Sequence, residues 1–280
     1  MISLLLTIVC STSVALILKY SSVKKGNPIV LLAGNYFVAA VIGVILFITN
    51  ISATYSFGSL LFGAVLGGLF VFSFFAFSRA IDTAGTALST TASRLSVFIP
   101  VLLSVFIYGE QPEVFHLIGF AFTVVTIILF YLSLRRDKTR RITASDYVYL
   151  FALLLGIGIG DFCMKVFQNT LPQTDKNFFV FSIFLFAFLY SFAIVIIKKI
   201  SIERGTLLSG SFLGIPNVFA SIFLLGSLEK LSAIIVYPTA NAGIIILTAI
   251  SAYLIWKEEI SHLAKISILT GIVSIVLLNF

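Results

Sequence analysis

An all-α integral membrane protein, with ten transmembrane helices arranged as a 5+5 inverted repeat, is the fold this sequence predicts. Three observations predict it. Of 280 residues, 60% are hydrophobic and 10% charged, with a mean hydropathy of +1.15, whereas a water-soluble domain carries about a quarter of its residues charged. Residues 26–78 run for 53 positions without a Lys, Arg, Asp or Glu, broken only by the polar stretch 49–56. That is two spans and a turn. Finally, Gly58, Leu60, Leu61, Gly63, Leu66, Gly67 and Phe72 recur as Gly205, Leu207, Leu208, Gly210, Leu213, Gly214 and Phe219, a constant offset of 147.

A helical crossing needs about 20 residues, and apolar runs bounded by charge or Gly/Pro/Asn clusters give ten. They lie at roughly 2–20, 29–48, 58–78, 86–108, 114–134, 147–166, 178–198, 205–226, 231–255 and 263–280. A membrane barrel is excluded because runs such as 180–188 and 272–278 are apolar at nearly every position instead of alternating. The start, Met1 to Leu18, has no basic n-region and no small residues before Cys10, so it is expected to be the first span rather than a cleaved leader. The chain then divides into a first five-helix repeat, 1–134, a basic connection, 135–146, and a second repeat, 147–280.

The flanks of the repeated block carry charged matches: Lys19 with Lys165 at the ends of spans one and six, and Glu110 with Glu258 after spans four and nine. Each copy has an odd number of spans, so the second enters the membrane from the opposite face. Inverted repeats of this kind recur in secondary transporters.

In this order of motifs the chain resembles the ten-helix EamA-type members of the drug/metabolite transporter superfamily. A Lys closes the first helix of each half (Lys19, Lys165), the third helix is rich in small residues (Gly63 to Gly67, Gly210 to Gly214), and a Glu ends the fourth (Gly109-Glu110, Lys257-Glu258). The resemblance implies a carrier of small metabolites, amino acids or drugs through a central cavity between the halves. Two positions depart from the pattern. Asn35 stands where a second-helix Arg is common, and Lys257 stands where Gly precedes the second Glu.

Arg94 is the strongest chemical signal, lying near the middle of span four. A central Arg costs about 2.5–3.5 kcal/mol on insertion scales, and the span's eleven Leu, Ile, Val and Phe residues return about 3–7 kcal/mol. The helix inserts, but the guanidinium needs a cavity, a carboxylate or an anionic ligand, since it cannot shed its charge. Ser89, Thr90, Thr91, Ser93 and Ser96 make its surroundings polar. One reading is substrate recognition; the other is packing against Glu110, Asp161 or backbone carbonyls. Asn241 and Ala242 hold the matching place in the second copy.

Asp161 and Lys165 stand four apart on one helix face. Either they pair as a helix-end device with Lys165 snorkelling, or Asp161 carries the proton of a coupled cycle. Helix breaks are expected at Gly67-Gly68 and at the matching Gly214-Ile215-Pro216-Asn217, since Pro leaves a carbonyl without its donor and matched breaks point to a carrier's binding site. Their GxxxG spacing fits close packing as well. Asn35, Asn217, Tyr237 and Asn241 complete the candidate substrate-binding set. Tyr36 and Trp256 are weaker candidates, the latter suiting the interface.

No catalytic motif, phosphate loop or cofactor box is present, and two Cys and two His make no metal set. No enzyme activity, cofactor, metal or nucleic-acid partner is expected, only a lipid bilayer and a small-molecule substrate. The net charge of +7 is concentrated in Arg135, Arg136, Lys138, Arg140 and Arg141, a topology signal. Thirteen Lys and Arg fall on the side of the odd connections and three on the other. The positive-inside rule then puts both termini outside a bacterial inner membrane, whereas the resemblance implies termini inside. The competing class is a non-transporting scaffold or lipid-associated sensor whose polar residues only pack helices.

Overall fold

The computed structural model describes residues 1–23, 26–50, 54–134, 144–257 and 261–280. Most of the basic connection (135–143), Lys24, Lys25, Glu258 and the side chain of Trp256 lie outside the described residues.

Among the described residues the regular structure is helical: α1 (Ile2–Val23), α2 (Pro28–Thr49), α3 (Phe57–Ala84), α4 (Thr86–Leu95), α5 (Phe98–Tyr108), α6 (Val114–Leu134), α7 (Ala144–Thr170), a 3₁₀ turn (Gln173–Asp175), α8 (Lys176–Ile197), α9 (Arg204–Leu228), α10 (Ala233–Trp256) and α11 (His262–Leu278). Nine stretches are long and apolar enough to cross a bilayer, with α4 and α5 together making one of them, and the 17-residue α11 is the shorter tenth. All ten expected spans are therefore helical.

Punctuation is local chemistry. Pro28 opens α2 in the first turn, where a missing N–H costs nothing, and the Asn27 side chain accepts the Ile29 N–H at 2.9 Å. Ser261 caps α11 by accepting from the Ala264 N–H at 3.2 Å. At the other end of a helix, Gly109 follows α5 in the left-handed conformation (φ 64°, ψ 26°), and Lys257 follows α10 at φ 56°, ψ 29°. These two positions are 148 apart, the offset of the Glu residues that follow them.

The described helices form two compact units, and each draws on both halves of the chain. The first comprises residues 1–72 and 166–229, so that α1, α2 and the start of α3 pack with the end of α7, α8 and α9; the second comprises residues 73–165 and 230–280.

In the first unit, glycines let α3 and α9 approach their neighbours to backbone distance. A Cβ at Gly67 would meet the Ile183 carbonyl oxygen at 2.6 Å, the Ala187 nitrogen at 2.9 Å and the Phe186 Cβ at 3.2 Å. A Cβ at Gly214 would meet the Asn35 carbonyl oxygen at 2.4 Å, the Val38 Cβ at 3.0 Å and the Ala39 nitrogen at 3.1 Å. The neighbouring atoms correspond one for one at an offset of 148. This corrects the expectation of interruptions here. Helix α3 runs unbroken through Gly67-Gly68 and α9 through Gly214 and Pro216, because the absent side chains serve close packing rather than an unwound backbone.

In the second unit, α6 and α11 are joined by hydroxyls. Ser274 donates to the Gly119 carbonyl at 2.8 Å, Ser267 to the Thr126 carbonyl at 3.0 Å, and the Thr123 and Ser274 hydroxyls are 2.6 Å apart. Gly119 and Ser267 are 148 apart, as are Thr126 and Ser274, so the two carbonyl bonds join matched pairs of positions, although α11 donates both of them.

Candidate functional site

A break occurs where the sequence suggested a continuous helix. The span expected at 86–108 is two helices, α4 and α5, separated at Ser96-Val97, two residues after Arg94. The Val97 N–H donates to the Arg94 carbonyl at 3.3 Å and the Ile99 N–H to the Ser96 carbonyl at 3.0 Å. Both bonds span three residues, tightening the chain into 3₁₀ geometry, which often marks a hinge. Pro100 accounts for it locally: it sits in the first turn of α5, where its missing N–H is tolerated, and the Ser96 carbonyl four residues back is satisfied by Ile99 instead.

Arg94 therefore projects from the end of a helix. Its side chain is half-buried, and NH1 donates to the Asn241 Oδ1 at a long 3.4 Å. Its Nε is buried with no hydrogen-bond partner among the described residues. A buried unpaired guanidinium N–H costs about 1–3 kcal/mol or more, so the site holds an unmet demand for an acceptor. The expected polar shell contributes less than its composition implies. Ser93 donates to the Thr90 carbonyl at 2.7 Å and Ser96 to the Ser93 carbonyl at 2.6 Å, so these hydroxyls serve their own helix.

Asn241 is held in register by α10. Its Nδ2 donates to the Tyr237 carbonyl one turn back at 3.1 Å, which leaves Oδ1 turned to Arg94. Tyr237, 2% exposed, donates its hydroxyl to the backbone carbonyl of Asp161 at 2.5 Å. The half-buried Asp161 carboxylate and the Arg94 guanidinium act on one another as opposite charges. Four of the sequence candidates, Arg94, Asp161, Tyr237 and Asn241, thus belong to one cluster carried by α4, α7 and α10 in the second unit.

One turn along α7 and α10 lies an ion pair. Lys165 Nζ is 2.8 Å from Glu110 Oε1, with side chains 8% and 12% exposed. The expected local pair of Lys165 with Asp161 gives way to this partnership. Glu110 accepts two further bonds, from the Ala233 N–H at 3.0 Å and the Ile234 N–H at 3.3 Å. These are first-turn donors of α10 that have no partner within the helix, and a carboxylate is favoured at that positive end. Ser232 occupies the N-cap without making a side-chain bond, because Glu110 already fills the role. The left-handed Gly109 aims it there, and the Glu110 N–H closes the turn on the Ser104 carbonyl at 3.4 Å. This capping was not foreseen; the unused Ser232 cap and the Gly-Glu pair are its only traces in the sequence.

The remaining candidates fall in the first unit. Asn217 Nδ2 donates to Asn35 Oδ1 at 3.1 Å, beside the point where Gly214 meets the Asn35 carbonyl. Asn35 is buried and Asn217 half-buried. Tyr36 is buried with its ring centroid 6.2 Å from that of Phe184, a core position. Lys19 is half-buried at the end of α1.

Ten apolar helical spans that enclose charge pairs and amides define an integral membrane protein of the polytopic helical class. Residues 145–280, the second half of the chain, match the EamA-like transporter family. The chain is 27% identical over 292 residues to an uncharacterized protein of Haemophilus influenzae, covering 99% of this chain and 97% of that one. Its fold is that of a solved crystal structure of a protein with TM-score 0.79 and 15% identity, covering 99% of this chain and 94% of the other.

Proposed function

We propose that the protein is a secondary carrier of the bacterial inner membrane that moves a small polar or amphipathic metabolite by alternating access, with Arg94 binding an anionic or carbonyl oxygen of the substrate. The observation that carries this reading is the Arg94 Nε, a buried donor without a partner among the described residues, at the helix end that precedes the break. A guanidinium used only for packing would be saturated, because an unmet donor in a low-dielectric surrounding is a standing cost. Asn241 holds one edge of the group at a distance long enough to be replaced by a substrate oxygen, and Asp161 supplies a carboxylate for a proton or a substrate cation.

A 5+5 inverted repeat is part of the same reading, with halves 1–134 and 147–280. It draws support from pairs of matched positions: Gly67 with Gly214 on their neighbouring helices, the position pairs Gly119/Ser274 and Thr126/Ser267 joined by hydroxyl bonds between α6 and α11, and the left-handed residues Gly109 and Lys257. Arg94 and Asn241 are themselves counterparts 147 apart and touch one another. A duplication that kept its packing residues and diverged at this pair, Arg in one copy and amide in the other, gives an asymmetric binding group on a symmetric frame.

The test begins with a thermal-shift screen of purified protein against organic acids, amino acids and amine drugs. Compounds that raise the melting temperature of the wild type should fail to do so with Arg94→Ala, and their uptake into proteoliposomes should fall to background while the variant elutes as folded protein. A full shift retained in Arg94→Ala removes the substrate role. Asp161→Asn should transport the same compound without responding to an imposed pH gradient; an unaltered response rules out proton carriage by this carboxylate.

A further inference from the structure

We propose that Glu110 is a positioning residue of the transport site: its carboxylate clamps the first turn of α10 against α7, sealing the end of the Arg94 cluster, and it lets go when that end opens.

The geometry singles out Glu110 in three ways. It holds three donors at once, Lys165 Nζ at 2.8 Å and the Ala233 and Ile234 N–H groups at 3.0 and 3.3 Å, so one side chain ties the end of α5 to both α7 and α10. Each tie lies one turn from a residue of the cluster. Lys165 is four residues after Asp161, and Ala233 is four before Tyr237, about 6 Å along either helix axis. Displacing the α10 N-terminus therefore displaces Tyr237 and Asn241, and with them the amide that meets Arg94.

The grip is also releasable. A mid-span ion pair that parts leaves two uncompensated charges in hydrocarbon. Here the carboxylate sits beyond the end of α5, and the groups it frees are first-turn N–H donors of α10 and an ammonium five residues before the end of α7, groups that water entering as that end opens would satisfy. Helix α5, only 11 residues long, has the 3₁₀ hinge beside Arg94 at one end and Gly109 with Glu110 at the other. It is built as a short lever between the binding group and the clamp.

Cys163 supplies a native reporter, being half-buried on α7 within electrostatic reach of Tyr108 at the end of α5 and of Tyr237 on α10. The inference rests on the carrier reading, but its test needs no substrate, so a clamp that fails is distinguishable from a transport role that fails. In full-length purified protein carrying Cys10→Ala, the rate of Cys163 modification by a small cationic methanethiosulfonate is measured. Glu110→Gln should raise it about tenfold by shifting the local opening equilibrium, and Lys165→Gln by less, since the α10 donors are still held. The exchange Glu110→Lys with Lys165→Glu should not restore the parental rate, because an ammonium cannot accept from the α10 N–H groups.

A rate within about twofold of the parent in folded Glu110→Gln, or full restoration by the exchange, overturns the clamp. Should Glu110→Gln not fold, Lys165→Gln decides alone, with an unchanged rate counting against the proposal and a rise for it.

Discussion

Tyr237 shows how much one hydroxyl positions. It bonds the Asp161 carbonyl while its own carbonyl orients Asn241, so a single residue connects the carboxylate-bearing helix to the amide that touches Arg94. Tyr237→Phe leaves the backbone acceptor of Asp161 without this donor and should destabilise the protein by about 1 kcal/mol, read as a lowered melting temperature. It should also weaken any compound whose thermal shift depends on Arg94. A variant that loses stability and keeps full ligand response separates packing from positioning. Arg94 and Asp161 were legible in the sequence because charge inside an apolar span has few innocent explanations. Glu110 was not. Its position after a span gives no sign of three buried donors, and only the fold brings the start of α10 and Lys165 of α7 to it.

At the scale of the helix, similar glycines do different work. Gly67 and Gly214 face backbone atoms at 2.6 and 2.4 Å from a would-be Cβ, whereas Gly205 has nothing within 4 Å. Gly67→Val and Gly214→Val should each destabilise by about 1–3 kcal/mol through overpacking, and Gly205→Ala should be close to neutral; thermal unfolding of the three variants in detergent distinguishes them. Lys257 is the converse case. It holds a left-handed conformation that its counterpart Gly109 adopts freely, so Lys257→Gly should stabilise by roughly 0.5–1 kcal/mol, and an unchanged or lowered melting point would contradict that. Spacing revealed these matched positions but not their meaning. Matched Gly and Pro suggested unwound helices, yet α3 and α9 pass straight through, since a small residue permits close approach as readily as it permits a break. The break that exists, at Ser96-Val97, was hidden because Pro100 lies just inside the following helix, where proline normally starts a helix rather than ending one.

Over the whole chain, hydropathy made the ten spans readable, and a constant offset pairs positions of the two halves. Neither signal says which helices pack together, because lipid and protein neighbours are equally apolar and pairing is decided by small residues and hydroxyls such as those joining α6 to α11. The compact units interleave the two halves of the sequence, and α3 and α7 contribute to both. This arrangement matters for biosynthesis. When the ribosome has released the first five crossings, α1 and α2 still lack α8 and α9, and α6 still lacks α11, so an early intermediate waits in the lipid with its small-residue faces unmatched. Residues 1–134 expressed alone should be a short-lived chain that membrane proteases clear, while the same segment produced beside a separate 144–280 fragment should persist. Assembly is governed by the last partner to arrive, and a truncation near the C-terminus is felt by helices synthesised at the very beginning.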